Sequence, residues 1–210
     1  PPPLDDVIFH QPPPPFFEDD FRQNYFYGKI CFGFYSRSLI DRIIKKYDKL
    51  FYPISPDYTS MIFALTNAIS FQSINKVLLL SFSGMDISNG ANASTYPKFA
   101  LGYFKTLKNY LNIISELPVN NLYSSVHNAV AYDYVNILKK INKDEPELFN
   151  KANFHLRCFE DMQGLNWEGD LKAKEENEKI LLNYYKQLSN AEKGLIRDKN
   201  NIINNVQKTA

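Results

Sequence analysis

Apolar residues recur every three or four positions in several stretches of the chain, which is the spacing of one face of an α-helix. The first stretch follows Ser38, a residue type that caps helix N-termini, and has apolar side chains at positions 39, 40, 43, 44 and 47. The second begins at Ser55-Pro56-Asp57, where serine suits the cap, proline the first helical position and aspartate the first turn. The pattern therefore predicts two helices in the first third of the chain.

Short apolar runs before and after these helices predict β-strands. Residues 7–10 lie between two proline clusters, which exclude a helix but allow one short strand. Residues 24–35 are aromatic and typical of strands, and residues 69–74 and 77–82 form two further apolar runs. We expect residues 24–95 to contain at least two strands that pair within a mixed sheet, with the helix that begins at Ser55 at its edge.

The pattern changes at Pro97, after which helical spacing dominates and no stretch indicates a strand. Helices are predicted at residues 125–141 and 171–188, with a weaker one at residues 191–207, where asparagine pairs lower helix propensity. The predicted fold class is α/β. A mixed sheet occupies residues 1–96, and a helical C-terminal extension over residues 97–210 packs on it.

Charge and cysteine content narrow the possible functions. The 210 residues include 24 basic and 23 acidic side chains, a balance that gathers no phosphate backbone, so nucleic acid is not an expected partner. Apolar runs such as residues 77–80 are far shorter than the roughly 20 residues of a membrane helix, so no transmembrane segment is expected. Cys31 and Cys158 lack CxxC spacing, which favours a reducing compartment.

Two groups of residues suggest chemistry only weakly. The 16 Phe and 14 Tyr residues could stack on sugar rings, although such side chains more often fill a core. The three histidines have no HxH or HExxH spacing, so a catalytic zinc site is not expected. His155 and Cys158 are one helical turn apart, but a Cys–His pair without an orienting partner is weak evidence for a thiol nucleophile.

Candidate site residues lie in two loops. Asp57 stands in the first turn of a predicted helix, where a carboxylate can serve as a general base, although it can equally be a helix-start residue only. Residues 83–94 form a polar loop. It could bind a polyol through Ser88, Asn89 and Asn92, with Gly84 and Gly90 allowing close approach of the backbone, or it could be an ordinary surface loop. The residues alone leave both alternatives open.

Several short motifs follow one another in an order typical of a known enzyme family. An aromatic stretch, Phe32-Gly33-Phe34-Tyr35, leads through Arg37 into a helix, and Ser55-Pro56-Asp57-Tyr58 opens the next one. A strand ending at Ser81-Phe82-Ser83-Gly84 and a loop with Ser88-Asn89-Gly90 follow. In this order the motifs, which cover residues 7–95, resemble the acceptor-side second half of family 2 glycosyltransferases of bacterial surface-polysaccharide type.

The resemblance implies a GT-A fold and inverting transfer of a sugar from a nucleotide-sugar donor to a saccharide or other hydroxyl acceptor. In this family the acidic residue at the position of Asp57 is the general base that deprotonates the acceptor. Substrate contacts are implied for Tyr58, Gly84, Ser88, Asn89 and Gly90. The family often uses Mg²⁺ or Mn²⁺ held by a DxD motif in a nucleotide-binding half that this chain lacks, so no residue is assigned to metal.

The resemblance also implies an enzyme of polysaccharide biosynthesis that is cytoplasmic, either free or at the membrane periphery. It further implies that these residues are inactive without the rest of the enzyme. The alternative is a non-enzymatic helical domain that binds a partner or acts as a scaffold. This alternative does not need a nucleotide-binding half, and it explains why the chain has few candidate catalytic side chains. An upstream reading frame with a nucleotide-binding pattern and a DxD motif decides for the transferase, whereas a start codon just before Pro1 decides against it.

Overall fold

A computed structural model describes residues 7–10, 30, 33–69, 71–74, 93–141 and 150–198. For residues 7–10 and 71–74, and for Leu138, only the backbone is described. The chain forms two compact units. The first consists of Pro1–Ile87 and Asp133–Leu148, and the second of Ser88–Tyr132 and Phe149–Ala210.

Most of the described residues are helical. In chain order the elements are β1 (Val7–His10), α1 (Arg37–Tyr47), α2 (Pro56–Asn67), β2 (Phe71–Ile74), α3 (Pro97–Lys105), α4 (Tyr110–Ser115), α5 (Val126–Ile141), α6 (Lys151–Gly164), α7 (Leu171–Gln187) and α8 (residues 190–198). From Pro97 onward the described residues contain helices and turns without a strand, as the sequence predicted.

The predicted mixed α/β sheet, and with it the GT-A-like fold, is wrong. Strand pairing among the described residues consists of one antiparallel ladder, in which Val7 pairs with Ile74 and His10 with Phe71. A mixed sheet also needs parallel neighbours, whose crossover helices cover the faces of the sheet. Instead, most of the described residues are helical, and α1 and α2 contact each other. The strand predicted at residues 77–82 lies outside the described residues.

Helix α1 begins two residues before the position that the sequence indicated. Ser36, rather than Ser38, is the N-cap, and its hydroxyl oxygen accepts a hydrogen bond from the Leu39 amide at 3.2 Å. The helix ends at Tyr47 because Asp48 adopts a left-handed conformation, with φ of 71°. Aspartate tolerates this conformation better than most residues, since its short side chain can hydrogen-bond locally.

Helix α2 begins at Pro56, as the sequence predicted, and carries much of the core of the first unit. All of its residues from Tyr58 to Ala64 are buried. The Phe63 ring stacks on Tyr47 of α1, with the ring centroids 4.9 Å apart, and tilts against Tyr52 at 6.1 Å. Aromatic pairs of this kind stabilise a core by about 0.5–1.5 kcal/mol beyond the burial of their area.

The second unit is held together by α6, α7 and α8. Its described core cluster consists of Ala152, Leu156, Leu188 and Ile196, with Tyr184 and Tyr185 packed against it. Tyr184, Tyr185 and Leu188 belong to the apolar face that the sequence predicted for residues 171–188, whereas no helix was predicted at residues 151–164.

The loop between α4 and α5 is fixed by the buried side chain of Asn128. Its amide oxygen accepts from the Val119 backbone at 2.9 Å, and its amide nitrogen donates to the carbonyls of Val119 at 2.8 Å and Leu122 at 2.9 Å. Three satisfied bonds in a buried position stabilise the loop, because each buried polar group left unpaired costs about 1–3 kcal/mol. The start of α5 is thereby held in place.

Candidate functional site

Asp57, the predicted general base, lies in the first turn of α2. It is half-buried, and its backbone carbonyl accepts a hydrogen bond from the Ser60 hydroxyl at 2.9 Å. Tyr58, predicted to contact substrate, is only 6% exposed and belongs mainly to the core. Neither residue lines the two cavities described below. The remaining predicted contacts, Gly84, Ser88, Asn89 and Gly90, lie outside the described residues.

The N-terminus of α2 is held by a carboxylate from α5. Asp133 Oδ2 accepts hydrogen bonds from the Ser55 amide at 2.8 Å and from the Ser55 hydroxyl at 3.0 Å. Because its hydroxyl is used in this way, Ser55 makes no side-chain cap bond within its own helix. Asp133 is fully buried, and its Oδ1 has no hydrogen-bond partner in the part of the chain that the structure describes.

Burial also changes the acidity of Asp133. Desolvation of the carboxylate raises the pKa of Asp133 to about 6, and this outweighs the hydrogen bonds from Ser55 and Ile54 and the charge of Lys49. The group is therefore ionised at neutral pH and takes up a proton in mild acid. Since it lines neither cavity, its function in this arrangement is to hold the start of α2.

A second carboxylate, Asp161 of α6, caps the N-terminus of α5. Its Oδ2 accepts from the Ser125 hydroxyl at 2.6 Å and from the His127 amide at 2.9 Å, and its Oδ1 lies 2.8 Å from His127 Nδ1. Serine, histidine and aspartate thus meet, but the serine hydroxyl donates to the carboxylate instead of to the imidazole. A nucleophilic triad needs the serine on the imidazole, so this cluster is a helix cap.

Cys158 and His155 do not form a nucleophilic pair. Burial raises the pKa of the fully buried Cys158 thiol far above its ordinary value, and a thiol that stays protonated is a poor nucleophile. Burial also lowers the pKa of His155 to about 4, so its imidazole is neutral at physiological pH. The weak sequence indication of a thiol nucleophile is therefore not supported by the chemistry of either group.

A cavity of about 420 Å³ lies between α6, α7 and α8. Its volume is in the range of about 300–1,000 Å³ that is typical of small-molecule sites. Its buried apolar wall consists of Leu156, Met162, Leu181 and Ile196. At its rim, Phe159 and Leu182 are 45% and 50% exposed.

His155 is a buried polar side chain in the lining of this cavity. It is 8% exposed, and its Nδ1 has no hydrogen-bond partner among the residues whose structure is described. The ring is held by Tyr184, which stacks on it at 6.2 Å, and by Tyr185 at 5.3 Å. Buried polar atoms in proteins nearly always have a partner, so this imidazole nitrogen is an exception among the described residues.

Sequence reasoning missed Asp133, Asp161 and the cavity at His155. A signal for Asp133 exists, because it lies three residues after Val130 and four before Ile137, on the apolar face of the predicted helix. A carboxylate on such a face indicates a buried polar contact. Asp161 and His155 give no comparable signal, because no helix and no apolar face were predicted at residues 151–164.

Three further features assign no function to the described residues: metal sites, membrane-spanning helices and similarity to known proteins. Within residues 33–69, 93–141 and 150–198, no group of three or more His, Cys, Asp or Glu side chains is placed to hold a metal ion. None of the helices described is both long and apolar enough to cross a membrane. No family model, no curated protein and no solved structure matches the chain.

Proposed function

We propose that this chain is a non-enzymatic helical binding protein, and that the cavity of the second unit takes a small, mostly apolar molecule with one hydrogen-bonding group. One observation carries the proposal. A cavity of about 420 Å³ with a buried apolar wall is lined by a neutral histidine, whose Nδ1 has no partner among the described residues. Apolar pockets with a few polar groups are the usual form of small-molecule sites.

The lining of the cavity indicates the chemistry of its ligand. Phe159, Met162 and Tyr185 provide polarisable or aromatic surface, which suits a ring system. Neutral His155 offers one donor or one acceptor, depending on its tautomer. Glu178 and Arg197 also line the cavity. Because these two carry opposite charges, the lining does not demand a charged ligand.

The size of the cavity sets the expected affinity. A ligand of about 20 non-hydrogen atoms, at about 0.3 kcal/mol per atom, binds with a free energy of about −6 kcal/mol. This corresponds to a Kd of tens of micromolar, to within an order of magnitude. Such binding is within reach of a fluorescence titration.

Nile red, a neutral apolar dye, tests the site in the full chain. Leu182 and Leu195 form a matched pair, because they are 50% and 49% exposed but only Leu182 lines the cavity. We expect Leu182→Gln to weaken dye binding by about fivefold or more, since a polar amide then faces the apolar rim. Leu195→Gln should leave it within about twofold. Equal effects of the two changes, or no dye binding at all, would contradict the proposal.

Sugar transfer is a second proposal, supported by one observation. Helix α2 begins at Pro56, and Asp57 occupies its first turn, which is the placement that the predicted base requires. The proposal is separate from the GT-A fold, which is corrected above. The nucleotide-sugar and saccharide partners and a cytoplasmic location belong to this proposal, and Asp57→Asn tests it (see Discussion).

A further inference from the structure

We propose that the first unit contains an anion site that binds a small ligand with two linked phosphate groups. A second cavity, of about 400 Å³, is lined by the last turns of α1 and α5. Each helix contributes a pair of lysines, Lys45 and Lys46 from α1 and Lys139 and Lys140 from α5. Among the described residues of the lining, the single carboxylate is Asp48. This site is independent of the cavity in the second unit.

Aromatic rings hold several of the ammonium groups near this cavity. Lys46 Nζ lies 5.0 Å from the centroid of the Tyr47 ring, and Lys140 Nζ lies 5.6 Å from that of Tyr52. Lys49 Nζ also lies near this ring, 3.9 Å from its centroid. Cation–π contacts of about 0.5–1 kcal/mol restrict a lysine side chain, so part of the entropy of ordering these groups is lost before a ligand binds.

Lysines in the last turn of a helix often serve only to offset the helix dipole. The magnitudes show that this explanation is insufficient here. Each helix C-terminus is equivalent to about half a negative charge, so two helices supply about one. The lining has four lysines against one carboxylate. About two positive charges therefore remain among the described residues of the lining, and none of these lysines forms an ion pair with another described residue.

The charge distribution of the whole chain favours a small anion over a polymer. Basic and acidic residues nearly balance, at 24 and 23, so the lysine cluster is a local excess instead of part of a basic face. Lysine binds phosphate oxygens as a point charge with three donors. Two pairs of lysines on two helices match two linked phosphate groups, and inorganic pyrophosphate is the simplest probe.

Isothermal titration calorimetry with sodium pyrophosphate tests the site in the full chain. The test variant, Lys45→Gln with Lys140→Gln, removes one lysine from each helix. The matched control, Lys172→Gln with Lys174→Gln, removes the same charge from α7, where both lysines pair with glutamates and line neither cavity. Lys45, Lys140 and Lys172 are exposed, and 45% of the Lys174 side chain is exposed. Both variants should therefore fold with little change in stability.

We expect the wild-type chain to bind pyrophosphate, the test variant to bind it at least about tenfold more weakly, and the control to stay within about twofold. Raising the salt from about 50 to 200 mM should weaken binding, because exposed charges are then screened. Absence of binding by the wild-type chain, or equal weakening in both variants, overturns the proposal. Tighter binding of a random single-stranded oligonucleotide through the same lysines overturns it as well.

One alternative lies within the chain itself. Residues 142–149 follow α5, lie outside the described residues and include Asp144, Glu145 and Glu147. Replacing these three by Asn, Gln and Gln separates the cases. If the proposal holds, pyrophosphate binds to the wild-type chain and to this variant alike. If it binds only to the variant, the chain's own carboxylates neutralise the lysines and the proposal fails.

Discussion

Asp133 accepts two hydrogen bonds from Ser55, a residue 78 positions earlier in the chain. The start of α2 therefore depends on a side chain of α5, and both belong to the first unit. Two donors on one buried carboxylate oxygen stabilise the ionised form, whereas burial opposes it. The contact has consequences for stability that can be measured.

Asp133→Asn should remove a specific pH dependence of stability. The pKa of Asp133 is about 6 in the folded chain against an ordinary value of 3.8, so between these pH values the folded state binds more protons than the unfolded state. The wild-type chain therefore gains stability from this group as pH falls from 6 toward 4, by at most about 1.4 kcal/mol per pH unit. Urea unfolding at pH 4.5 and 7 measures the difference between the two proteins.

Asp133→Ala should lower the stability of the chain more than Asp133→Asn does. It leaves the amide and hydroxyl of Ser55 without their acceptor, at a cost of about 1–3 kcal/mol at pH 7. The asparagine variant should cost less, because it keeps an oxygen in place. An alanine variant as stable as the asparagine variant would show that the Ser55 contact contributes nothing.

His155→Phe should remove a pH dependence of the opposite sign. The pKa of His155 is about 4 in the folded chain and 6.5 as its ordinary value, so in this window the unfolded state binds more protons. The wild-type chain therefore loses stability as pH falls from 6.5 toward 4, at no more than about 1.4 kcal/mol per pH unit. Phenylalanine keeps a ring against Tyr184 and does not titrate. Thermal melts across this range compare the two, and parallel curves would contradict the assignment.

Asp57→Asn separates a helix-start residue from a catalytic base. As a residue of the first turn only, Asp57 contributes a charge–dipole interaction, and its loss should lower the free energy of unfolding by about 0.3–1 kcal/mol. As a general base in the complete enzyme, its loss should also lower the rate of sugar transfer by about 10²–10⁴. Urea unfolding and a transfer assay on the same variant decide, and unchanged transfer ends the transferase proposal.

Asp161→Ala should destabilise the second unit more than Glu160→Ala does. Asp161 caps α5 through Ser125 and the His127 amide, and loss of a cap costs about 0.5–2 kcal/mol. Its neighbour Glu160 makes a partly exposed ion pair with Arg157, and such pairs contribute about 0–1 kcal/mol. Circular dichroism melts of both variants provide the comparison. Equal losses would argue against the cap.

The sequence pattern predicted local features well, because their causes lie within a few residues. Pro56 begins a helix since proline suits its first position, and residues 171–187 follow the apolar spacing that indicated a helix there. The fold class was wrong because it rested on the resemblance and on strand patterns, and strand patterns do not say which strands pair. The contact between Ser55 and Asp133 had no local cause, so only the folded chain reveals it.

Because Cys158 is buried, the reactivity of its thiol can be used to measure the opening of α6. No part of this side chain is exposed, so an alkylating reagent can reach it only during transient opening of the helix. In a Cys31→Ser variant, Cys158 is the one remaining cysteine, and its labelling rate measures how often the helix opens. Helix α6 also contributes His155, Leu156, Phe159 and Met162 to the cavity. A molecule bound there should slow the labelling in proportion to its occupancy. Mass spectrometry of the labelled chain could therefore be used to screen for ligands without any knowledge of their identity.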